Sequence, residues 1–198
     1  MVTVAGVGPG NPKYLTVEVK EAIESAECVL AFGRVSNSLS SIRNDFIQVN
    51  RVDDIIKYTS IHKDLLLLAS GDPNFYGVVE FLKKKGVVIK KILPGLSTFQ
   101  YMMAKLEKSW QGAKFLSLHG RDESLDTVKK NRLVIMLTDK ENSPCKISKE
   151  LWSLGIRGTM YIGFNLSYDD EKIVKINIGE EVENISTLSV VVIENEMD

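Results

Sequence analysis

Histidine and cysteine are nearly missing from this chain: two of each occur in 198 residues. His62 and His119 are far apart, and Cys28 and Cys145 form no C-x-x-C pair. A zinc centre gathers about four such ligands at short spacings, so no protein-bound metal is expected. The two thiols read instead as small buried hydrophobes in a reducing, cytoplasmic setting. Long apolar runs are missing as well. The longest, Leu65 to Ala69, falls far short of the roughly 20 residues that a bilayer requires. The amino end enters a strand pattern at once, without the basic segment and apolar core of a secretory leader, so no leader is expected. Nor is there a surplus of positive charge. Formal net charge is −1, whereas nucleic-acid capture needs a basic face. No internal repeat or low-complexity tract interrupts the sequence.

What is present is an ordinary globular composition, 44% hydrophobic. The length suits one large domain or two small ones, able to bury about 70% of the unfolded surface. The most informative feature is a set of three glycine turns, each closing an apolar run: Gly6-Val7-Gly8-Pro9-Gly10, Gly71-Asp72-Pro73 and Pro94-Gly95-Leu96-Ser97-Thr98. Glycine at a strand end lets backbone approach a ligand closely, because no Cβ stands in the way. In open α/β sheets ligands gather at the carboxyl ends of the strands, where these turns would fall. A dinucleotide site is not expected. Its fingerprint needs a third glycine where this chain has Asn11, and Pro9 and Pro12 hold the segment extended. No Gly-Lys-Ser/Thr follows any of the glycines, so there is no P-loop either.

Between the turns, strand patterns at Val2–Val7, Cys28–Phe32, Phe46–Val49, Leu65–Ala69 and Val87–Ile92 alternate with helical ones. The first helix has Thr16 as its cap and Val19, Ala22, Ile23 and Ala26 on one face. Others are predicted at Val52–His62, at Phe75–Lys85 with Gly86 past its end, and at Ser97–Leu106. This order predicts a mostly parallel five-stranded lobe over residues 1–108. The polar stretch Glu107–Gly112 reads as a join, with a second α/β lobe over 109–198. Its strands are expected at Phe115–Leu118, Leu133–Leu137, Thr159–Phe164, Lys172–Ile178 and Leu188–Ile193, and one helix is punctuated by Ser143, Pro144 and Gly155. The last two strands have no room for a crossover helix between them. They are expected to pair antiparallel and make this sheet mixed. Two α/β lobes with a cleft between them are a common ligand setting.

In order and spacing, the three turns resemble the tetrapyrrole (corrin/porphyrin) methylase family, which uses S-adenosylmethionine. SWQGAKFLSLHGR (Ser109 to Arg121), LTDKENSP (Leu137 to Pro144) and NLSYDDEKI (Asn165 to Ile173) are similar to the branch that methylates carbon 5 of cobalt-precorrin-7 in cobalamin synthesis. The chain departs from that branch at Phe164, where members often carry an acidic residue. The resemblance implies donor contacts at Pro9, Gly71, Asp72, Phe75, Tyr76, Ser97, Thr98, Met136, Asn165 and Leu166. Substrate contacts are expected at Gly8 and Gly10, and Arg34, His119 and Arg121, at or near strand ends, are candidates for more. The acceptor would be a carboxylate-rimmed corrinoid, which cationic side chains suit, and any cobalt would arrive within it. A cytoplasmic homodimer is implied too, with the C15-methyltransferase/decarboxylase activity that some relatives carry downstream supplied by a separate protein.

The residues themselves leave alternatives open. Asp72 could accept a hydrogen bond from the donor's amino group or ribose, or it could cap the following helix. Met136, within RLVIMLTD, has the pattern of a core strand residue, and His119 could simply satisfy a loop carbonyl. No nucleophile or acid–base dyad stands out, and none is required, since methyl transfer is an in-line displacement between positioned partners. Other methylases of this fold, of the diphthine synthase or ribosomal RNA type, and a non-catalytic nucleoside-binding module are the competing readings.

Overall fold

The computed structural model describes residues 1–121, 123–187 and 189–197. The backbone divides into two compact units, Met1–Thr98 and Phe99–Asp198. The polar Glu107–Gly112 stretch thus follows the helix with which the second unit opens.

The first unit carries strands β1 (Val2–Gly6), β2 (Val29–Phe32), β3 (Ile47–Val49), β4 (Leu65–Ala69) and β5 (Ile89–Leu93). They form one parallel sheet in the order β3-β2-β4-β1-β5. Its crossovers are helices α1 (Val17–Ser25), α2 (Gly33–Ser38), α3 (Val52–Ile61) and α4 (Val78–Lys84). Leu65 and Leu67 of β4 face one core with Val2, Val4 and Val79, while Leu66 and Leu68 face the other with Ala5, Val19 and Ile23. A strand covered on both sides has no polar face to show, which explains the unbroken leucine run. Thr16 caps α1 as expected, its hydroxyl accepting from the Val19 N–H at 3.2 Å.

Strand order fixes where a ligand can enter. The chain leaves β1 for β2 on one side of the sheet and leaves β4 for β5 on the other. Neighbouring strands whose connections depart in opposite directions open a crevice at their carboxyl ends.

The second unit opens on α5, whose full span is Thr98–Lys105, followed by β6 (Lys114–Ser117), β7 (Leu133–Leu137), α6 (Pro144–Ser153), β8 (Gly158–Phe164), β9 (Lys172–Asn177) and β10 (Ser189–Asn195). The sheet order is β6-β7-β10-β8-β9. It is mixed, with β6 and β7 parallel and the other pairs antiparallel. The expected pairing of the last two strands does not occur. β10 inserts between β7 and β8, so β9 and β10 flank β8 and run in the same direction. β10 is buried on both faces and belongs in the sheet centre, whereas β9, alternately exposed, suits an edge. Leu188, where that strand was expected to start, lies outside the described residues. α6 has its expected punctuation: Ser143 caps it, Pro144 stands in its first turn, and Gly155 follows at φ 79°.

Three further expectations shift. α2 has no apolar period to announce it. α4 starts at Val78 rather than Phe75. Cys28 is buried, its thiol pushed up by burial against the opposing pull of Arg43, but Cys145 is half-exposed. Among the described residues no helix is long and apolar enough to cross a membrane.

Candidate functional site

At the carboxyl edge of the first sheet the three glycine turns meet. Gly8 and Gly71 exchange backbone hydrogen bonds: the Gly71 N–H donates to the Gly8 carbonyl at 2.8 Å, and the Gly8 N–H donates back at 3.3 Å. A Cβ at Gly6 would stand 2.6 Å from the Gly71 carbonyl oxygen and 2.7 Å from the Gly95 nitrogen. One at Gly95 would press still closer on the carbonyls of Gly71 and Gly6. Only glycine lets these backbones pack together. The junction lies where the topology places the crevice, between the ends of β1 and β4.

Asp72 locks the arrangement. One carboxylate oxygen accepts the Asn74 N–H at 2.8 Å, and the other accepts the Gly95 N–H at 3.3 Å, joining the second turn to the third. It does not cap the next helix, because α4 is preceded by Gly77 and has no side-chain cap. Each oxygen keeps a further lone pair for a donor group. Phe75 and Tyr76 follow, their rings edge-to-face at 4.9 Å, with Tyr76 held at φ 51°. Ser97 is buried and Thr98 opens α5. The direction a Gly71 Cβ would take leads to the Ser97 Cα at 3.8 Å and the Thr98 Oγ1 at 3.9 Å. Gly8, Pro9 and Gly10 complete the wall and are buried. Arg34 is exposed on α2.

In the second unit, His119 and Arg121 are exposed in the loop after β6. That loop is anchored by Asp139, which sequence reading passed over. The Asp139 carboxylate accepts N–H bonds from Gly120 at 3.1 Å, Glu141 at 2.9 Å and Asn142 at 2.8 Å. Partial burial pushes its pKa up, but the Asn142, Gly120 and Glu141 N–H groups and the nearby His119 outweigh that and hold it below the usual range. The Asp-x-x-Asn spacing was the available signal, a local turn signature. Met136 is wholly buried among Leu116, Ile162 and Val191, packed as a core residue. Asn165 and Leu166 lie in the turn between β8 and β9, Asn165 at φ 47° and Leu166 buried. Phe164, the departure from the branch pattern, is wholly buried in the same core, where an acidic side chain would need a partner. Among the described residues no cluster of histidine, cysteine or acidic side chains could hold a metal ion.

The model of the family "Tetrapyrrole (Corrin/Porphyrin) Methylases" matches residues 1–181. The chain is 30% identical over 179 residues to the cobalt-precorrin-7 C(5)-methyltransferase of Salmonella typhimurium, an alignment covering 87% of this chain and 89% of that one. It is 29% identical over 187 residues to a probable cobalt-precorrin-7 C(5)-methyltransferase of Methanocaldococcus jannaschii, covering 87% of each. The fold is shared with a uroporphyrin-III C-methyltransferase of Thermus thermophilus crystallised with S-adenosyl homocysteine, at a TM-score of 0.78 and 22% identity, covering 97% of this chain and 91% of that one.

Proposed function

The chain belongs to the tetrapyrrole (corrin/porphyrin) methylases, and from that membership we propose that it transfers a methyl group from S-adenosylmethionine to carbon 5 of cobalt-precorrin-7 in cobalamin synthesis. Its class is methyltransferase. The observation that carries the site is the meeting of the Gly6–Gly10, Gly71–Asp72 and Gly95–Thr98 segments at the switch point of the first sheet.

The residues fit such a donor. When bound, it supplies an electrophilic methyl on a sulfonium, and the rest is positioning. Asp72 accepts from an ammonium or a ribose hydroxyl through the lone pairs its own turns leave over. Ser97, Thr98 and the amino end of α5 offer hydroxyls and N–H groups. Gly8, Pro9 and Gly10 present backbone without intruding side chains, and Phe75 and Tyr76 supply an aromatic wall. Asn165 and Leu166 extend the donor contacts in this proposal, whereas Met136, wholly buried in the core, is left out of it. Arg34, His119 and Arg121 bind the acceptor's carboxylates. Alignment alone accounts for about 7–11 kcal/mol of the barrier, so no covalent intermediate on the protein is invoked. A cytoplasmic homodimer is part of the same proposal, and sedimentation of the purified protein tests its assembly.

The test is incubation of purified protein with methyl-labelled donor and cobalt-precorrin-7. Label is expected in the corrinoid at carbon 5. Donor binding without transfer to this corrinoid would assign a different acceptor.

A further inference from the structure

The turn between β8 and β9 has an unusual backbone. Both Asn165, at φ 47°, and Ser167, at φ 73°, sit in the left-handed region that glycine normally fills. Such a backbone persists only where its surroundings over-determine it. Here one carboxylate does so. Glu171 accepts the Ser167 N–H at 2.6 Å through one oxygen, and its other oxygen faces the Lys105 ammonium of α5 at 3.2 Å. The Tyr101 hydroxyl, also on α5, bonds the same carboxylate. Burial pushes the Glu171 pKa up, but Tyr101, the Ser167 N–H and Lys105 hold it below the usual glutamate range. Apolar packing repeats the attachment, since Leu166 and Met102 of α5 close over Gly163, where a Cβ would lie 2.7 Å from each. Asn165 donates to Asp170 at 2.7 Å, and its carbonyl accepts the Tyr168 N–H at 3.0 Å.

We infer that Glu171 is a positioning residue for methyl transfer: by clamping Ser167 to α5 it fixes Asn165 and Leu166 in the shape in which they meet the donor. The inference rests on the proposed donor site. Glu171 itself acts through the turn and through α5, the helix that begins at Thr98. The reach of its side chain matters more than its charge. A glutamine at 171 can still accept from Ser167, whereas an aspartate, one methylene shorter, cannot span the gap.

Three variants, Glu171→Ala, Glu171→Gln and Glu171→Asp, separate these roles by two readouts on the whole chain. The first is amide exchange at residues 165–168 without ligand, and the second is calorimetric affinity for S-adenosylhomocysteine per folded molecule. Exchange is expected to rise at least about tenfold in the alanine and aspartate variants, and affinity to fall about tenfold, as leaving the Ser167 N–H without its acceptor implies. The glutamine variant should stay within about threefold of the parent on both counts. If the alanine variant does not fold, the glutamine–aspartate contrast decides. Affinities equal to the parent's, or a glutamine variant as weak as the others, would overturn the inference while leaving the donor site intact. A parent that binds no S-adenosylhomocysteine would overturn both.

Discussion

The two units hold their loops by different balances of the same two means. At the carboxyl edge of the first sheet the turns are joined mainly backbone to backbone, with the Asp72 carboxylate as an added tie, and the decisive feature is what is missing, the Cβ atoms of Gly6 and Gly95. In the second unit the loops are tied by carboxylates that gather N–H groups: Asp139 on the loops beside β6 and α6, and Glu171 on the turn after β8. Where close packing depends on absent side chains, even a methyl is not tolerated. A loop held by an ionised carboxylate weakens in acid. The first design suits a site that must admit a ligand against bare backbone.

Breaking the first kind should cost most. Gly95→Ala forces a methyl into the carbonyls of Gly71 and Gly6, and an overpacked site of this kind is expected to cost about 3 kcal/mol. At this chain length that lowers the thermal midpoint by about 6–12 °C, as calorimetry would show. Asp72→Ala comes next. Removing the carboxylate that links Asn74 to Gly95 should weaken S-adenosylhomocysteine binding about tenfold. The accompanying fall in melting temperature should be smaller than that of Gly95→Ala. A variant that unfolds but keeps its affinity per folded molecule would make Asp72 a purely structural tie.

The second kind should reveal itself through pH. The folded pKa of Asp139 lies below its ordinary value, so its ionised form stabilises the fold above about pH 4. That contribution disappears as pH falls through the lower folded value. Asp139→Asn should therefore be less stable than the parent at neutral pH, with the gap closing in acid denaturation series. A gap that stays constant down to the acid transition would remove the electrostatic part of the comparison. The smallest effect is expected at the exposed Lys149–Glu181 pair, 2.7 Å apart on the surface. Lys149→Ala should leave the melting temperature within about 1 °C, since solvent screens such pairs.

Much of this arrangement was legible in the residues because its signals are local. The leucine run of β4, the Thr16 cap, the Ser143-Pro144-Gly155 punctuation and the glycine turns each act within a few residues of their position. The features that were not legible depend on partners distant in sequence. α4 begins late because Asp72 spends its oxygens on Asn74 and on Gly95, so the chain runs through Pro73–Gly77 before it can coil. β10 pairs with β7 and β8 rather than with β9 because burial on both of its faces suits only the sheet interior. α2 has six residues and no period. Asp139 announced only its local turn, since nothing in the sequence says that its carboxylate would also take the Gly120 N–H, or that Glu171 would reach the Lys105 ammonium of α5.

The central claim is that the glycine junction of the first sheet holds the methyl donor. A crystal structure of this chain with S-adenosylhomocysteine tests it most directly. The ligand is expected against the carboxyl ends of β1 and β4, within hydrogen-bonding distance of Asp72 and of the Ser97–Thr98 segment. A fully occupied ligand bound elsewhere, with Asp72 untouched, would contradict the account.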